Sequence, residues 1–502
     1  MTAGSTTFAT TRAPASATRT QETSVLLLTT IGTLMVAVDS TIVILALPTM
    51  ARQLHSPLST IIWTILIYLL ITAALTTQAG RIGDMFGRGR VYNSGFAIFT
   101  VGSALSGLAP TAEFLVAARA VQAIGGALMF ANAGALIAAV FPPERRGRAF
   151  GFFVLGWSLG AILGILLGGV ITTELGWPYI FFINIPIGVV AVILGLRTLP
   201  KSTPEKTGFD FPGFALFSGM LTLVCYGLIE LAIFGTTALN VAYIVVGLVL
   251  FPVFVLAELR VRNPLLDIRQ LQNRMLGFSL IAGLLQSLGY LAVIFLLTMY
   301  LQGLRGLSPL NASLLLVPGY LLGAVMGPVM GRNVDRRGAR LLATLGILCM
   351  AAAVLAYSQL TLTSWLGWIP VISLVGGLGS GMFYPANTTA IMSQATPRTF
   401  GSISGLRATL MNIGTLLSFV LAITIASISV PRSVTYEVFL GTTNLIGGIG
   451  SQFLTGIHAA LYGAVAVLGV AALLSWSRGP STPRPSPAAP ATGAPPLAPG
   501  EP

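Results

Sequence analysis

Residues 80–90 read GRIGDMFGRGR, and residues 331–340 read GRNVDRRGAR. Each stretch lies between two long apolar runs, and three positions match at one constant spacing. The matching residues are Gly80, Asp84 and Gly87 in the first stretch, and Gly331, Asp335 and Gly338 in the second. This repeat predicts that the chain contains two copies of one structural unit, with the same charged turn at the same place in each copy.

A second repeat supports the first. FPPERRGRAFG ends at Gly151 and ATPRTFGSISG ends at Gly405, which aligns Gly147 with Gly401. Each copy then holds six apolar runs, and two further runs are left over between the copies. Internal repeats of six membrane-spanning helices are a signature of secondary transporters, whose substrate site lies near the midplane between the two halves.

The composition excludes a water-soluble protein. Only 8% of the 502 residues are charged, 55% are hydrophobic, and the mean hydropathy is +0.87. An ordinary soluble chain has roughly 25% charged residues with which to cover its surface. A soluble enzyme and a nucleic-acid-binding protein are therefore excluded, and the two cysteines and two histidines predict neither a disulfide framework nor a metal site.

Fourteen apolar runs are long enough to cross a bilayer as helices, because about 20 residues suffice. Their approximate limits are 25–48, 59–79, 92–109, 112–140, 149–172, 179–198, 212–233, 238–257, 277–303, 311–331, 340–359, 366–391, 403–428 and 453–476. The predicted fold class is an all-α integral membrane protein.

The basic residues predict an orientation. If both termini face the cytoplasm, 23 of the 27 lysines and arginines fall at the cytoplasmic side. Arg52, Arg305 and Arg432 fall outside, and Arg119 falls within a run. Such a bias is the positive-inside pattern of membrane proteins, so the net charge of +13 marks a membrane side and not a nucleic-acid site. We expect a multi-pass protein of the cell membrane with both termini in the cytoplasm.

The predicted organisation follows from the runs and the repeats. It comprises a disordered cytoplasmic tail (1–24), an N-terminal six-helix half (25–198), a two-helix insert with flanking cytoplasmic segments (199–275), a C-terminal six-helix half (276–476) and a disordered, proline-rich cytoplasmic tail (477–502).

Several motifs carry a family resemblance. The stretch 80–90 resembles the loop motif of the major facilitator superfamily, and LVAARAVQAIGGAL, with Arg119 and Gln122, resembles the motif of its fourth span. VDSTIVILALP in the first run and GWPYIFFINIPIG at 176–188 look like the fourteen-span drug:proton antiporters of the quaternary-ammonium efflux type. The resemblance implies the major facilitator fold, with two six-helix halves and two extra helices between them.

The fifth run, GAILGILLGGV, resembles the antiporter motif of the same family at Gly160, Gly164, Gly168 and Gly169. Ile165 stands where that motif has proline, so an importer remains an alternative. Glycines four residues apart share one face of a helix and allow close helix packing. The same seam, we expect, also lets this helix slide or seal against a neighbour.

The resemblance also implies a role for the two charged turns. Asp84 with Arg88, and Asp335 with Arg336, are expected to form clusters that hold the two halves together in one state of the transport cycle. The alternative is that these residues only anchor the topology.

Asp39 is the sharpest functional candidate. It lies roughly 13 Å from the end of its run, where a carboxylate is costly unless it faces a cavity or a partner. Arg119 lies at a similar depth on the fourth run, roughly 12 Å from the same face. We predict that Asp39 takes up and releases protons and that Arg119 is its partner. A purely structural ion pair is the alternative.

Other polar residues inside the predicted spans are candidates for a substrate cavity. Gln286 and Tyr290 are four residues apart and share a helix face. The complete set of cavity-lining candidates is Gln286, Tyr290, Tyr384, Asn387, Asn412 and Glu230. Ordinary hydrogen bonding between helices is the alternative role for each of them.

The leading functional prediction is proton-coupled efflux of hydrophobic, cationic or amphipathic drugs by alternating access, and not an enzymatic activity. No phosphate-binding G-x-x-x-x-G-K signature is present, so the proton gradient is the expected energy source and no cofactor is expected. Alternatives are export of a lipid, antibiotic or other metabolite, import, and a membrane-embedded transferase. We expect a monomer in the lipid bilayer, with a small substrate and protons as partners and no nucleic acid. A periplasmic or envelope accessory protein is left open.

Overall fold

The computed structural model describes residues 19–141, 143–200, 210–261, 264, 269, 272–394, 400–428 and 449–479. Every regular element in these ranges is helical. Lipid offers no hydrogen-bond partners to a bare backbone, so long apolar segments satisfy their own peptide groups as helices. Segments 1–18 and 480–502, which make up most of the predicted tails, lie outside the described residues, as does Arg432.

The helices follow the predicted runs closely. They are α1 (Arg19–Gln53), α2 (Leu58–Ile61), α3 (Trp63–Phe86), α4 (Arg88–Gly107), α5 (Ala112–Val140), α6 (Pro143–Glu174), α7 (Tyr179–Phe182), α8 (Asn184–Thr198), α9 (Phe211–Phe234), α10 (Ala238–Arg260), α11 (Arg274–Tyr290), α12 (Val293–Thr298), α13 (Pro309–Arg337), α14 (Ala339–Tyr357), α15 (Trp368–Met392), α16 (Phe400–Ile428) and α17 (Ile449–Ser477).

In the described residues, the helices that could span a membrane are fewer than the fourteen predicted runs. Within the described ranges, twelve helices are long and apolar enough to cross a membrane, and thirteen if the bent helix α3 is one span. The 20-residue helix α4, which covers the predicted third span, is more polar and opens on Arg88 and Arg90. The result is an all-helical fold of about twelve apolar helices; the count of fourteen stays a prediction.

The repeated turns have the same geometry in both copies. Gly87 alone separates α3 from α4, and Gly338 alone separates α13 from α14. Their φ angles are +97° and +80°, a backbone region that glycine adopts without steric cost. Each glycine N–H donates to a carbonyl four residues earlier, that of Gly83 or Val334, and thereby closes the preceding helix. The matched glycines are therefore required by the sharp turn.

The helices pack as two groups with an insert. In the first group α1 packs on α6 and α4 on α5; in the second, α11 packs on α16 and α13 on α15. Contacts between the groups run mainly along α6 with α13 and α3 with α16. Helices α9 and α10 pack on each other and reach the rest of the molecule mainly through α9, on α16 and α3. The boundaries of the predicted domains themselves stay predictions.

Two side chains join the groups near opposite ends of the bundle. Asn412 Nδ2 lies 3.4 Å from Thr76 Oγ1, next to a bend of 55° in α3 between Trp63–Thr76 and Gln78–Phe86. At the other end, Gln302 Nε2 donates to the carbonyl of Leu45 at 3.1 Å. Gln302 belongs to a π-helical turn, Met299–Leu304, which directly follows α12. The end that holds Gly87, Gly338 and Ser477 is called the arginine-rich end below.

Candidate functional site

Asp39, Arg119 and Gln122 form a closed triangle of hydrogen bonds in the middle of the first helix group. Arg119 Nη1 donates to Asp39 Oδ2 at 2.6 Å and to Gln122 Oε1 at 2.7 Å. Gln122 Nε2 donates to Asp39 Oδ1 at 2.8 Å. All three side chains are buried, with exposed fractions of 0%, 1% and 0%. The triangle links α1 to α5 by an ion pair that water does not reach in this state.

The local sequence positions the triangle. Arg119 and Gln122 are three residues apart on α5 and therefore project from the same face. The guanidinium also donates from Nε to the carbonyl of Thr64 on α3 at 3.0 Å. Its carbon lies 4.4 Å from the centre of the Tyr68 ring and 5.7 Å from that of Phe181, a cation–π arrangement. Three helices thus hold one cation.

Such a site has a clear chemical capacity. A buried carboxylate–guanidinium pair is held by charge-assisted hydrogen bonds, and losing one charge of the pair leaves the other uncompensated at a cost of about 3–5 kcal/mol. One proton added to Asp39 removes that charge and weakens the contacts to both Arg119 and Gln122. Protonation of Asp39 would therefore weaken the polar link between α1 and α5.

The second helix group has a different polar centre, built mainly of tyrosines. Gln286 Nε2 lies 3.4 Å from Tyr384 Oη and 3.5 Å from Met350 Sδ, and Gln286 is fully buried. Tyr290 packs against α15, where a Cβ on Gly376 would come within 2.2 Å of the Tyr290 hydroxyl. Tyr320 and Tyr357 lie in the neighbourhood of Tyr290. We call Gln286, Tyr290, Tyr320, Tyr357 and Tyr384 the tyrosine cluster.

Sequence reasoning missed Arg407, whose guanidinium lies in the neighbourhood of Tyr384 of this cluster. The predicted orientation counts it among the 23 cytoplasmic cations, near the start of its run. Its Nη1 contacts Met411 Sδ at 3.3 Å, and its buried Nε has no hydrogen-bond partner among the residues described. Gln78, at the bend of α3, was missed as well: it is fully buried and neither of its amide atoms has a partner within the described ranges.

Three cavity candidates do not join the tyrosine cluster. Asn387 donates to the carbonyl of Ser279 at 3.1 Å and accepts from Arg478 at 3.0 Å, so its amide holds helices together. Glu230 interacts with Tyr226 of its own helix on the insert. Asn412 contacts Thr76 across the two groups. These contacts fit the alternative role of hydrogen bonding between helices, and a role in lining a cavity stays a prediction for all three residues.

The glycine seam of α6 faces α1. A Cβ on Gly160 or Gly164 would lie 2.6 Å from the carbonyl oxygen of Leu34 or Val38, respectively, and one on Gly168 would lie 2.9 Å from that of Ile42. The seam therefore permits α1, which carries Asp39, to approach α6 within its own half. Gly169 differs, because a Cβ there would lie 2.8 Å from the carbonyl of Pro309 on α13, across the two groups.

The charged turns show part of the expected cluster. Arg88 Nε donates to Asp84 Oδ1 at 2.7 Å, and both side chains are partly exposed. The pair joins the end of α3 to the start of α4 and does not connect the two halves. The side chains of Asp335 and Arg336 lie outside the described part of the chain. At Gly80 and Gly331 there is room for a larger side chain, since no atom lies within 3.4 Å of a Cβ at either position. Steric crowding therefore does not explain these two glycines.

Arg478 lies buried at the arginine-rich end of the second group. Nη1 donates to Asn387 Oδ1 at 3.0 Å and to Ser279 Oγ at 3.3 Å, and Nη2 donates to the carbonyl of Ala339 at 2.5 Å. Burial, together with the positive charge of Arg340, lowers the pKa of Arg478 to about 10. Sequence reasoning had counted this residue as part of the tail.

The helical architecture and the buried ion pair define a class, the multi-pass membrane transporters. Residues 29–419 match the family profile of the Major Facilitator Superfamily, and the chain belongs to that family. It is therefore a transporter and not an enzyme. No group of three or more histidine, cysteine, aspartate or glutamate side chains that could hold a metal ion occurs in the ranges that the structure covers.

Relatives with assigned roles transport different compounds. The chain is 31% identical over 419 residues to the riboflavin transporter RibZ of Clostridioides difficile, covering 83% of this chain and 90% of the relative. It is 32% identical over 406 residues to the tetracenomycin C resistance and export protein of Streptomyces glaucescens, covering 80% and 75%. The crystal structure of a bacterial homologue of the human lysosomal transporter Spinster, inward-facing and occupied, shares the fold, with a TM-score of 0.62 at 16% identity and coverage of 92% and 97%.

Proposed function

We propose that this protein is a proton-coupled exporter of hydrophobic, cationic or amphipathic compounds and works by alternating access. In this proposal it belongs to the fourteen-span drug:proton antiporters and lies in the cell membrane with both termini in the cytoplasm. The observation that carries the proposal is the buried triangle of Asp39, Arg119 and Gln122. A carboxylate kept from water in the membrane is a functional site by default, and proton relays are a common use.

The packing around Asp39 supports a link between protonation and movement. Asp39 lies on α1, which approaches α6 along the glycine seam and reaches the other half through the contact of Leu45 with Gln302. A proton on Asp39 would loosen α1 from α5. Because the seam offers no bulky side chains to block sliding, α1 and α6 are well placed to move against each other in a cycle of alternating access.

The tyrosine cluster, together with Arg407 and Gln78, supports a surface that binds the cargo. Buried polar atoms without a hydrogen-bond partner cost about 1–3 kcal/mol each, and Gln286 Oε1, Arg407 Nε and both amide atoms of Gln78 have none among the described residues. Aromatic faces with a few hydrogen-bonding groups suit flat, amphipathic molecules. The export of tetracenomycin C by a relative favours cargo of this kind.

The test is efflux of ethidium from a bacterial host that lacks its own multidrug pumps, with and without a protonophore. Wild-type protein should give protonophore-sensitive efflux, and Asp39→Asn should reduce it to background while the protein remains folded in the membrane. Glu174→Gln is the matched control, because Glu174 is an exposed carboxylate at the C-terminal end of α6, away from the arginine-rich end of the bundle. Active pumping by Asp39→Asn would disprove the coupling role of Asp39.

A second candidate is transport of a polar heteroaromatic metabolite, in either direction. It is favoured by Arg407, a cation beside Tyr384 with no carboxylate in the ion pairs that the structure describes, and by the similarity to a riboflavin transporter. Absence of protonophore-sensitive efflux for every lipophilic cation tested would favour this candidate. Riboflavin uptake into right-side-out and inverted vesicles would then give the substrate and the direction together.

A further inference from the structure

A groove of about 300 Å³ runs along the outside of the second helix group, at the arginine-rich end. Its walls come from the first half of α14 and the last half of α17, and its lining is almost wholly apolar. The lining residues are Leu341, Thr344, Leu345, Leu348, Gly469, Ala472, Leu473 and Trp476. Leu341 to Leu348 covers about 10 Å along the helix axis, so the groove has the length of part of an acyl chain.

Gly469 keeps the groove open. No atom lies within 4 Å of the position that a Cβ would take there, so close helix packing does not require glycine at this site. The hydroxyl of Thr344, the polar side chain of the lining, is satisfied internally, since its Oγ1 donates to Ser475 Oγ at 3.0 Å. The floor is therefore apolar, while Leu473 and Trp476 at the rim are 71% and 50% exposed.

Two cations stand at the end of this groove. The guanidinium carbon of Arg340 lies 4.0 Å from the centre of the Trp476 ring, and its buried Nε has no hydrogen-bond partner in the described ranges. Arg478 lies behind it, close enough for the two positive charges to repel each other. Neither arginine takes part in the ion pairs formed among the described residues. An apolar groove thus ends at a positive potential.

We propose that this groove binds an anionic phospholipid, with one acyl chain along α14 and α17 and the phosphate beside Arg340. Basic pockets between membrane helices bind anionic headgroups, and each arginine near such a surface strengthens binding about fivefold. The proposal does not depend on what the protein transports. It requires only that this end of the helices lies at the headgroup level of a membrane.

The shape of the groove selects a lipid over a soluble anion. A free phosphate would gain from Arg340 but not from the apolar floor, whereas a neutral lipid would gain from the floor but not from Arg340. Both features lie side by side on α14 and α17, within reach of a single lipid molecule. The anionic lipid is the ligand that uses both.

The test is native mass spectrometry of the purified full-length protein, titrated in detergent with dioleoylphosphatidylglycerol or dioleoylphosphatidylcholine. Wild-type protein should retain the anionic lipid at least fivefold better than the neutral one. Arg340→Gln should remove that preference. Gly469→Phe, which fills the groove without altering charge, should weaken both lipids about tenfold by displacing two methylenes. Arg337→Gln, an exposed cation at the same end, should behave as wild type.

Other outcomes would overturn the proposal. Equal retention of the two lipids by wild-type protein would show that the cations do not recognise the headgroup. The same loss in Arg337→Gln as in Arg340→Gln would show a diffuse surface charge instead of a site. Displacement of the lipid by inorganic phosphate at equal concentration would assign the cations to a soluble anion. Gel filtration of each variant checks that it is folded, and its ethidium efflux is a separate readout of transport.

Discussion

The centres of the two helix groups differ in their charge balance, although both groups contain the same glycine turn. In the first, Arg119 is paired with Asp39 and every hydrogen-bonding contact of the triangle is made within the protein. In the second, Arg407 lies beside Tyr384, and its Nε has no partner among the residues described. The triangle is closed by its own hydrogen bonds, whereas, within the described part of the chain, the second centre contains the unpaired Arg407 Nε and Gln286 Oε1; Gln78 on α3 adds two unpaired amide atoms from the first group.

This difference suggests a division of labour that the repeated turns alone do not reveal. A complete, buried ion pair responds to a proton, because one proton removes one of its two charges. An incomplete polar cluster of aromatic rings responds to a ligand, because the ligand supplies the missing partners. In the proposed function, proton coupling would fall to the first half and cargo recognition mainly to the second.

The strongest test of this assignment removes one charge of the pair. Arg119→Ala leaves Asp39 buried without a countercharge, and we expect the free energy of unfolding to fall by about 3–5 kcal/mol. The double variant Asp39→Asn with Arg119→Gln should recover most of that stability, because replacing both charges is often nearly neutral. Thermal unfolding in detergent measures the stability, and ethidium efflux measures transport.

The double variant separates structure from coupling. It should fold and still bind cargo but show no protonophore-sensitive efflux. Efflux by the double variant at the wild-type rate would contradict a coupling role for the first half, since Asp39 and Arg119 would then form only a structural ion pair.

The second test concerns the close approach of α1 to α6. A Cβ on Gly164 would come within 2.0 Å of Thr41 Oγ1 and 2.6 Å of the carbonyl of Val38, and such overpacking costs about 1–3 kcal/mol. Gly164→Ala should lower both thermal stability and efflux. Gly327→Ala is the matched control, because no atom lies within 4 Å of a Cβ there and alanine favours a helix by up to about 1 kcal/mol. Equal effects of the two substitutions would contradict a role for the seam.

The third test addresses the incomplete centre. Arg407→Gln removes a cation beside Tyr384, and we expect the KM for cargo to change about tenfold, equivalent to about 1.4 kcal/mol, with protonophore sensitivity retained. Initial efflux rates over a range of ethidium concentrations give the KM. Arg260→Gln, an exposed cation on the insert, should leave it unchanged. Loss of protonophore sensitivity in Arg407→Gln would place coupling in the second half as well.

The smallest expected effect lies in the turn that both halves share. Asp84 and Arg88 are four residues apart and have side chains 27% and 35% exposed, so Arg88→Gln should cost no more than about 0.5 kcal/mol. Thermal unfolding checks this, and efflux should stay near the wild-type rate. A folded Arg88→Gln variant without efflux would instead support the predicted latch between the halves.

The sequence predicted most of the helices because lipid demands long apolar runs and because the repeated glycines mark sharp turns. The constant spacing of the repeat identified Gly87 and Gly338. Both residues have a positive φ angle, which explains why glycine occurs at each turn. Asp39 and Arg119 stood out because charges are rare in such runs. Hydropathy is a weaker guide for α4. Much of this helix is buried against other helices, so its sequence can be more polar than that of a span that faces lipid.

The polar residues of the second half were harder to assign, because hydrogen-bonding side chains occur both in cavities and between helices. Asn387 and Gln286 look alike in sequence, yet Asn387 holds Arg478 and Gln286 contacts Tyr384. Arg407 was hidden by its position near the start of a run, where a cation normally reaches water. Such choices depend on which face of a helix meets which neighbour, and no local pattern records that.

The π-helical turn at Met299–Leu304 sets the rotational position of Gln302 about the helix axis. The contact between the two halves at Gln302 and Leu45 depends on that position. Such a turn holds one residue more than an α-helical turn, and here it aims Gln302 at the carbonyl of Leu45. Deleting a single residue within it would restore α-helical winding and rotate the flanking segments by about 100° relative to each other. The chain length of this one turn, and not only the identity of its side chains, therefore decides whether the two halves meet through Gln302.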